Sequence, residues 1–131
     1  MKIDPDYIKQ ILIKAQSSER AIFNINDLIE KDKISDEKFI FHMQILSDKR
    51  LIVTDSDNDS NIGISRTGNG HVSWRITHLR LTSDGHDFIE ALTNNTVWKK
   101  IKKELKEPSI STLLSTAQFL LNQTIENKLI N

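Results

Sequence analysis

Apolar residues near the start of the chain recur at every third or fourth position, which is the spacing of one face of an α-helix. Asp4 followed by Pro5 is a typical helix start, with Asp4 as the N-cap and Pro5 at the first helical position. The apolar positions that follow are Ile8, Ile11, Leu12 and Ala15. The pattern predicts a first helix over residues 5–17.

A small strand and two more helices are expected before residue 51. The apolar run at residues 21–23 predicts the strand, and Asn26 is the expected N-cap of a short second helix. Ser35 is expected to cap a third helix that ends near residue 50, with Asp36 and Glu37 in its first turn, where the helix dipole favours acidic side chains.

The middle of the chain changes to the pattern of strands and turns. Residues 51–54 form an apolar run that predicts a strand, and the polar residues 55–70 predict a loop that ends in the tight-turn pair Asn69-Gly70. Val72, Trp74 and Ile76 alternate with polar residues over residues 72–77, which indicates a half-buried strand.

Helices are expected again from residue 82 onward. Thr82 is a good N-cap, the pair Asn94-Asn95 interrupts the helical pattern, and Pro108 stops the helix that follows. A last helix carries a long apolar face. The order of elements predicts the α+β class: a winged helix-turn-helix domain over residues 1–95 and a C-terminal helical extension over residues 96–131, which packs on the domain or forms a dimer interface.

One block after the last predicted strand carries a family resemblance. It reads Leu81-Thr82-x-x-Gly85-His86-Asp87-Phe88, followed by Asn95-Thr96-Val97-Trp98. The block resembles the hallmark of a family of small uncharacterised proteins of phages, prophages and bacteria, which carries a domain-of-unknown-function label. The resemblance implies a winged-helix fold and, often, a mobile-element origin. It implies no established activity, so it assigns no functional residue.

A second, more local resemblance lies in the third predicted helix. Residues 41–46, followed by Leu51 and Ile52, resemble the recognition helix of small winged-helix repressors. Those proteins usually place glycine before the strand. This chain has Arg50 at that position, so a different turn is expected there.

The composition limits the kinds of partner and the cellular compartment that we expect for the protein. Lys and Arg together number 18, as do Asp and Glu, so the whole chain has no net attraction for nucleic acid and DNA binding would need a local basic face. The absence of cysteine excludes disulfides and thiolate metal sites. The N-terminus has no apolar signal core and no segment is long enough to span a membrane, so a cytoplasmic protein without a membrane partner is expected.

Two groups of polar residues have part of the spacing of a metal site, and neither completes one. Asp55, Asp57 and Asp59 have the spacing of a calcium loop, but the positions that require glycine and a bidentate acid hold Ser60 and Arg66. His86, Asp87 and Glu90 place two kinds of ligand one helical turn apart, without a third to complete a metal site. We therefore expect a non-enzymatic protein without cofactor or metal.

The leading hypothesis is a DNA-binding regulator of phage or prophage type. Duplex DNA would contact the third predicted helix and the wing, which is the predicted loop and strand that carry Arg66 and Arg75. In winged-helix proteins the recognition helix contacts base edges in the major groove, and neighbouring elements contact the phosphates. The candidate residues are Lys38, His42, Gln44, Lys49, Arg66 and Arg75. The lysines of residues 99–106 form a further basic cluster, for which a solvated helix face is the favoured interpretation.

The alternative hypothesis is a protein-interaction module that engages a host or phage protein. It depends on the outward face of the third predicted helix, where Phe41 and Ile45 would form an apolar ridge among mixed charges. Burial of both side chains under the C-terminal helices would remove this argument. The last helix is a candidate homodimer interface, although its apolar repeat is too short for a long coiled coil.

Overall fold

The computed structural model describes residues 1–56 and 61–130, and within these residues the protein has the predicted α+β class. Six α-helices accompany two small antiparallel sheets. The helices are α1 (Pro5–Gln16), α2 (Ile25–Leu28), α3 (Glu37–Asp48), α4 (Ser83–Thr93), α5 (Asn95–Glu104) and α6 (Ile110–Ile130). The strands are β1 (Ile52–Thr54), β2 (Ile64–Arg66), β3 (Val72–Trp74) and β4 (Leu79–Leu81). A 3-10 turn at Lys31–Lys33 links α2 to α3.

Asp4 caps α1 as predicted, but the caps of α2 and α3 lie at other residues. The Asn24 side chain accepts from the Asn26 N–H at 2.8 Å, and the Asp27 carboxylate accepts from the Asn24 N–H at 2.9 Å. This reciprocal pair makes Asn24 the cap, so the prediction of Asn26 is wrong. Asp36 accepts from the Lys38 N–H at 3.0 Å and caps α3 in place of Ser35.

The first sheet joins distant parts of the chain. β1 pairs antiparallel with β4, with Ile52 opposite Leu81. On the other side of β4, Phe23 and Leu79 exchange two backbone hydrogen bonds of 2.9 and 2.8 Å. The predicted strand at residues 21–23 is thus reduced to one bridge, and β4 lies between that bridge and β1.

The second sheet is a hairpin in which β2 pairs with β3. The prediction of an unbroken loop over residues 55–70 is wrong, because β2 lies inside it. The strand predicted to run to Thr77 ends at Trp74, and Ile76 beyond it is 56% exposed. The chain then leaves the hairpin and enters the first sheet as β4. The apolar alternation in the sequence does not predict β4 as a strand separate from β3.

All the α-helices contribute to one hydrophobic core. Its fully buried side chains include Ile8, Leu12, Phe39, Met43, Ile52, Leu92, Ile101 and Leu113. The C-terminal helices share this core because α6 packs against α4 and α5 through Leu113, Ala117 and Leu121. Among the described helices, none has the length and apolar character needed to cross a bilayer.

A tight junction connects β4 to α4. The Thr82 hydroxyl accepts from the Gly85 N–H at 3.0 Å, as expected for the predicted N-cap, and donates to the Arg50 carbonyl at 2.7 Å. Gly85 lies against the backbone of Leu51, where a side chain would collide with the Leu51 carbonyl oxygen. The junction therefore fixes the start of α4 against the end of the α3–β1 turn.

Candidate functional site

The hairpin is attached to the start of α3 through Trp74. Its indole Nε1–H donates to the Ile34 carbonyl at 2.6 Å, just before α3 begins. Its ring lies against Phe39 of α3 with the ring centroids 5.7 Å apart. A partly buried hydrogen bond and an aromatic contact together hold the hairpin beside the N-terminal half of the helix.

An ion pair makes a second connection between the same two elements. The Arg66 guanidinium donates to both carboxylate oxygens of Glu37, at 2.9 and 3.0 Å. The hydrogen bonds from Arg66 hold the pKa of Glu37 below its usual value, and the Glu37 carboxylate raises the pKa of Arg66. Both groups are therefore charged at neutral pH, and the bidentate pair is a second contact between the hairpin and α3.

An open groove of about 510 Å³ lies between α3 and the hairpin. It is lined from the α3 side by Gln44, Ser47 and Asp48, and from the hairpin side by Asn61, Ile62, Ile64 and Arg66. We call the exposed face of α3, this groove and the outer side of the hairpin the α3–hairpin surface. Its polar groups can donate and accept hydrogen bonds along one strip of the molecule.

Two predicted DNA-contacting lysines lie at the two ends of α3, and both have partners within the chain. The Lys38 Nζ pairs with the Asp4 carboxylate at 2.9 Å and lies 4.9 Å from the centroid of the Tyr7 ring. The hydrogen bond from Lys38 lowers the pKa of Asp4. The Lys49 Nζ donates to the Ser111 hydroxyl of α6 at 2.9 Å. Both lysines therefore also connect α3 to other helices.

Gln44 and Arg75 are both exposed to solvent. Gln44 lies in the middle of α3 at the edge of the groove. Arg75 follows β3, and its backbone N–H donates to the Gly63 carbonyl at 2.8 Å. With Arg66, these residues place one amide and two guanidinium groups on α3 and the adjoining hairpin.

His42 does not belong to this surface, and the prediction that it faces outward is wrong. Its side chain is 0% exposed. Its Nδ1 lies 2.7 Å from the Lys38 carbonyl, and its Nε2 accepts from the Asp4 N–H at 3.0 Å. Because both ring nitrogens have backbone partners, His42 is a buried connection between α3 and the start of α1.

Phe41 and Ile45 are half-buried and do not form the exposed apolar ridge that the alternative hypothesis requires. The Phe41 ring packs edge-on against His42 with the centroids 5.1 Å apart. Part of the surface of each side chain is therefore buried within the protein. The structure gives the protein-interaction hypothesis less support at this face than the sequence did.

The His86 group of the sequence does not form a metal site among the described residues. His86 is exposed on α4, and its Nδ1 is 3.4 Å from the Gln16 amide nitrogen. In the part of the chain that the structure describes, no three His, Asp or Glu side chains come together as metal ligands. Asp57 and Asp59 of the acidic segment lie outside the described residues.

The lysine-rich face of α5 surrounds a half-buried tryptophan. The Nζ atoms of Lys9 and Lys102 lie 4.1 and 5.6 Å from the centroid of the Trp98 ring, and Lys102 also pairs with Asp6. Lys99 and Lys103 are exposed. The ammonium groups of Lys9 and Lys102 therefore make cation–π contacts with the tryptophan, whereas Lys99 and Lys103 are exposed to water.

The comparisons with known proteins identify the family of the chain. Neither the curated proteins nor the solved structures contain a match to it. The model of one family, described as hypothetical protein (DUF2513), matches residues 2–111. The match runs from the residues before α1 to the first turn of α6 and includes the block that begins at Leu81. The chain therefore belongs to the DUF2513 family.

Proposed function

We propose that the chain is a winged-helix module that binds duplex DNA through the α3–hairpin surface. The proposal assigns α2, the 3-10 turn and α3 to the helix-turn-helix, with α3 as the recognition helix. The hairpin of β2 and β3 is assigned to the wing. In such modules the recognition helix enters the major groove while neighbouring elements contact the backbone.

The order of the strands supports this assignment. β4, the last strand along the chain, lies between the Phe23 bridge and β1, and α1, α2 and α3 precede β1. A winged helix has this arrangement, with its wing inserted between the second and third strands of the sheet. β2 and β3 occupy that place in the chain.

The observation that carries the proposal is the attachment of the hairpin to α3. The Trp74–Ile34 hydrogen bond and the contact between the Trp74 and Phe39 rings make the helix and the hairpin one preorganised surface. A preorganised surface loses less conformational entropy when it binds a ligand. Gln44, Arg66 and Arg75 supply the amide and guanidinium groups that would recognise base edges and phosphates.

The Glu37 carboxylate is the main electrostatic obstacle on this surface. Both members of its pair with Arg66 are substantially exposed, with 58% and 40% of their side-chain surface accessible. Exposed ion pairs contribute little to stability, so Arg66 can exchange Glu37 for a phosphate without unfolding the wing. Arg66 would then act in both states, as an anchor in the free protein and as a phosphate ligand in the complex.

Replacing Arg66 and Glu37 in turn tests the proposal. We expect Arg66→Gln to weaken binding to a random-sequence duplex several-fold and to lower the salt slope by about 1, as for the loss of one phosphate contact. We expect Glu37→Gln to strengthen binding, because it frees Arg66 and removes a negative charge from the surface. Fluorescence anisotropy over a salt titration, beginning at low salt, measures both effects.

Lys103→Gln is the matched control, because it removes one positive charge from the exposed face of α5, a helix that packs against α4 and α6. It should change binding less than Arg66→Gln does. Equal losses in the two variants would show that binding depends on net charge rather than on this surface. Absence of binding at low salt to duplexes of varied sequence would overturn the proposed function.

A further inference from the structure

The C-terminal end of α6 extends beyond the core. The helix has 21 residues, which corresponds to about 31 Å. Its first part is buried through Leu113, Ala117 and Leu121, whereas Ile125 is 42% exposed and Leu129 is 81% exposed. The end of the helix therefore presents two large apolar side chains to solvent.

A cleft of about 420 Å³ lies beside the first part of the same helix. Phe88 and Ala91 of α4, Leu51 and Leu114 provide its apolar lining. Asp84 and Asp87 of α4 lie at its edge, and both are exposed. Lys49 also lines the cleft, and its Nζ donates to the Ser111 hydroxyl, so the rim carries two carboxylates and one ammonium group above an apolar floor.

The cleft and the exposed end of α6 lie on one face of the helix. Leu114 and Gln118 line the cleft, and Ile125 and Leu129 follow them at helical spacing. The successive spacings of 4, 7 and 4 residues are symmetric about a point between Leu121 and Asn122. A two-fold axis at this point therefore places Leu114 opposite Leu129 and Gln118 opposite Ile125 in an antiparallel pair of identical helices.

We propose that this face is a self-association site at which two copies of the chain pair antiparallel through α6. With the two-fold axis between Leu121 and Asn122, Leu129 of each copy meets Leu114 of the other and enters the apolar cleft. Ile125 meets Gln118 by the same symmetry. The pairing buries exposed apolar surface in both copies without new backbone structure, which favours association.

The charges at the ends of the pairing are complementary. The same symmetry that pairs Leu129 with Leu114 places Lys128 of the second copy beside Ser115, a lining residue of the cleft. Asp84 and Asp87 line that cleft. The lysine of each copy therefore comes close to a rim on which the two carboxylates outnumber the one ammonium group of Lys49, and this balance favours a basic segment such as the end of α6.

Sedimentation of the full chain tests this inference without reference to DNA. At about 100 µM, an accessible concentration for weak dimers, we expect a mass near twice the 15.1 kDa of one chain. Leu129→Glu places a charge in the cleft and should weaken association about tenfold or more. Phe119→Glu is the matched control, because Phe119 is 60% exposed on another face of α6 and should leave the dimer intact.

A charge exchange tests the register. Lys128→Glu and Asp87→Lys should each weaken the dimer, and the double variant should recover part of the loss, because it restores opposite charges across the interface. Circular dichroism checks that α6 remains helical in each variant. A single-chain mass for the unmodified protein, or loss of the dimer in Phe119→Glu but not in Leu129→Glu, would overturn the inference. A monomer that still binds DNA would leave the proposed function standing.

Discussion

Replacing Gly85 with alanine is expected to lower the free energy of unfolding by about 1–3 kcal/mol, the usual cost of overpacking a tight contact. A Cβ at this position would collide with the Leu51 carbonyl oxygen and would lie 3.3 Å from Cδ2 of Leu81. The oxygen cannot move independently, because it accepts from the Thr82 N–H at 3.1 Å. The substitution therefore displaces α4 relative to β1.

Helix propensity alone predicts the opposite result, namely that Gly85→Ala would stabilise the protein. Gly85 is inside the first turn of α4, where alanine in an isolated helix would be favoured by about 1 kcal/mol. A loss of stability would therefore show that the contact with Leu51 outweighs the propensity. Urea titration followed by circular dichroism measures the difference, with an unchanged m-value as evidence that the denatured state is unaffected.

Gly68→Ala is the matched control. A Cβ at Gly68 meets no heavy atom within 4 Å. We expect this substitution to be neutral or to stabilise the protein by about 0.4–1 kcal/mol, because alanine restricts the unfolded chain more than glycine does. Equal stability of Gly85→Ala and the unmodified protein would contradict the tight packing of the β4–α4 junction.

The features that the sequence predicted well depend on local chemistry. Asp4 and Thr82 cap helices because a side-chain oxygen reaches an N–H two or three residues later, a relation that is visible in the sequence. The same reasoning misplaced two caps, at Asn26 and Ser35. In each case a second suitable residue, Asn24 or Asp36, lies within two positions, and only the folded backbone selects between them.

The features that the sequence did not predict depend on residues that are distant along the chain. β4 has only three residues and is defined by its pairing with β1 and Phe23. Glu37 and Arg66 are 29 residues apart, and the apolar pattern carries no information about their contact. The apolar alternation places Trp74 on the buried side of a strand, but its hydrogen bond to Ile34 depends on the position of the hairpin against α3.

His42 was assigned to the wrong face for a related reason. A polar side chain is usually exposed, and histidine beside Phe41 on a predicted recognition helix suggested an outward contact. The structure instead satisfies both of its ring nitrogens with backbone groups. No residue pattern around His42 identifies the Asp4 N–H as its partner, because that group lies 38 residues earlier.

Acidification below about pH 6.5, the ordinary pKa of histidine, is expected to destabilise the protein through His42. The Asp4 N–H can only donate, so Nε2 of His42 must be the unprotonated nitrogen and Nδ1–H must donate to the Lys38 carbonyl. A proton on Nε2 would face the Asp4 N–H and break this contact. The connection between α1 and α3 therefore requires neutral histidine.

The surroundings of His42 determine the direction of the pH dependence. Burial lowers the pKa of His42 and the charge of Lys38 lowers it further, whereas the hydrogen bond to the Lys38 carbonyl and the Asp4 carboxylate oppose this shift without cancelling it. As the pH falls through about 6.5, His42 therefore takes up a proton in the unfolded chain more readily than in the folded protein. Stability is complete above that pH and is lost as the pH falls through the depressed pKa, by at most about 1.4 kcal/mol per pH unit.

Two substitutions separate the charge effect from packing. His42→Gln keeps a hydrogen-bond donor and acceptor but cannot titrate, so the loss of stability between about pH 6.5 and pH 5 should disappear. His42→Leu leaves the Asp4 N–H and the Lys38 carbonyl without their side-chain partner and should cost about 1–3 kcal/mol at neutral pH. Urea titrations over this range measure both effects.

The carboxylates do not obscure this result, because they act in another pH window. Lys38 lowers the pKa of Asp4, so the stability that this ion pair contributes is complete above the ordinary value of 3.8 and is lost only as the pH falls below it. A slope near pH 6 therefore reports a histidine. If His42→Gln kept the slope of the unmodified protein, the titrating group would be another residue, and the assignment of the neutral tautomer to the α1–α3 contact would be wrong.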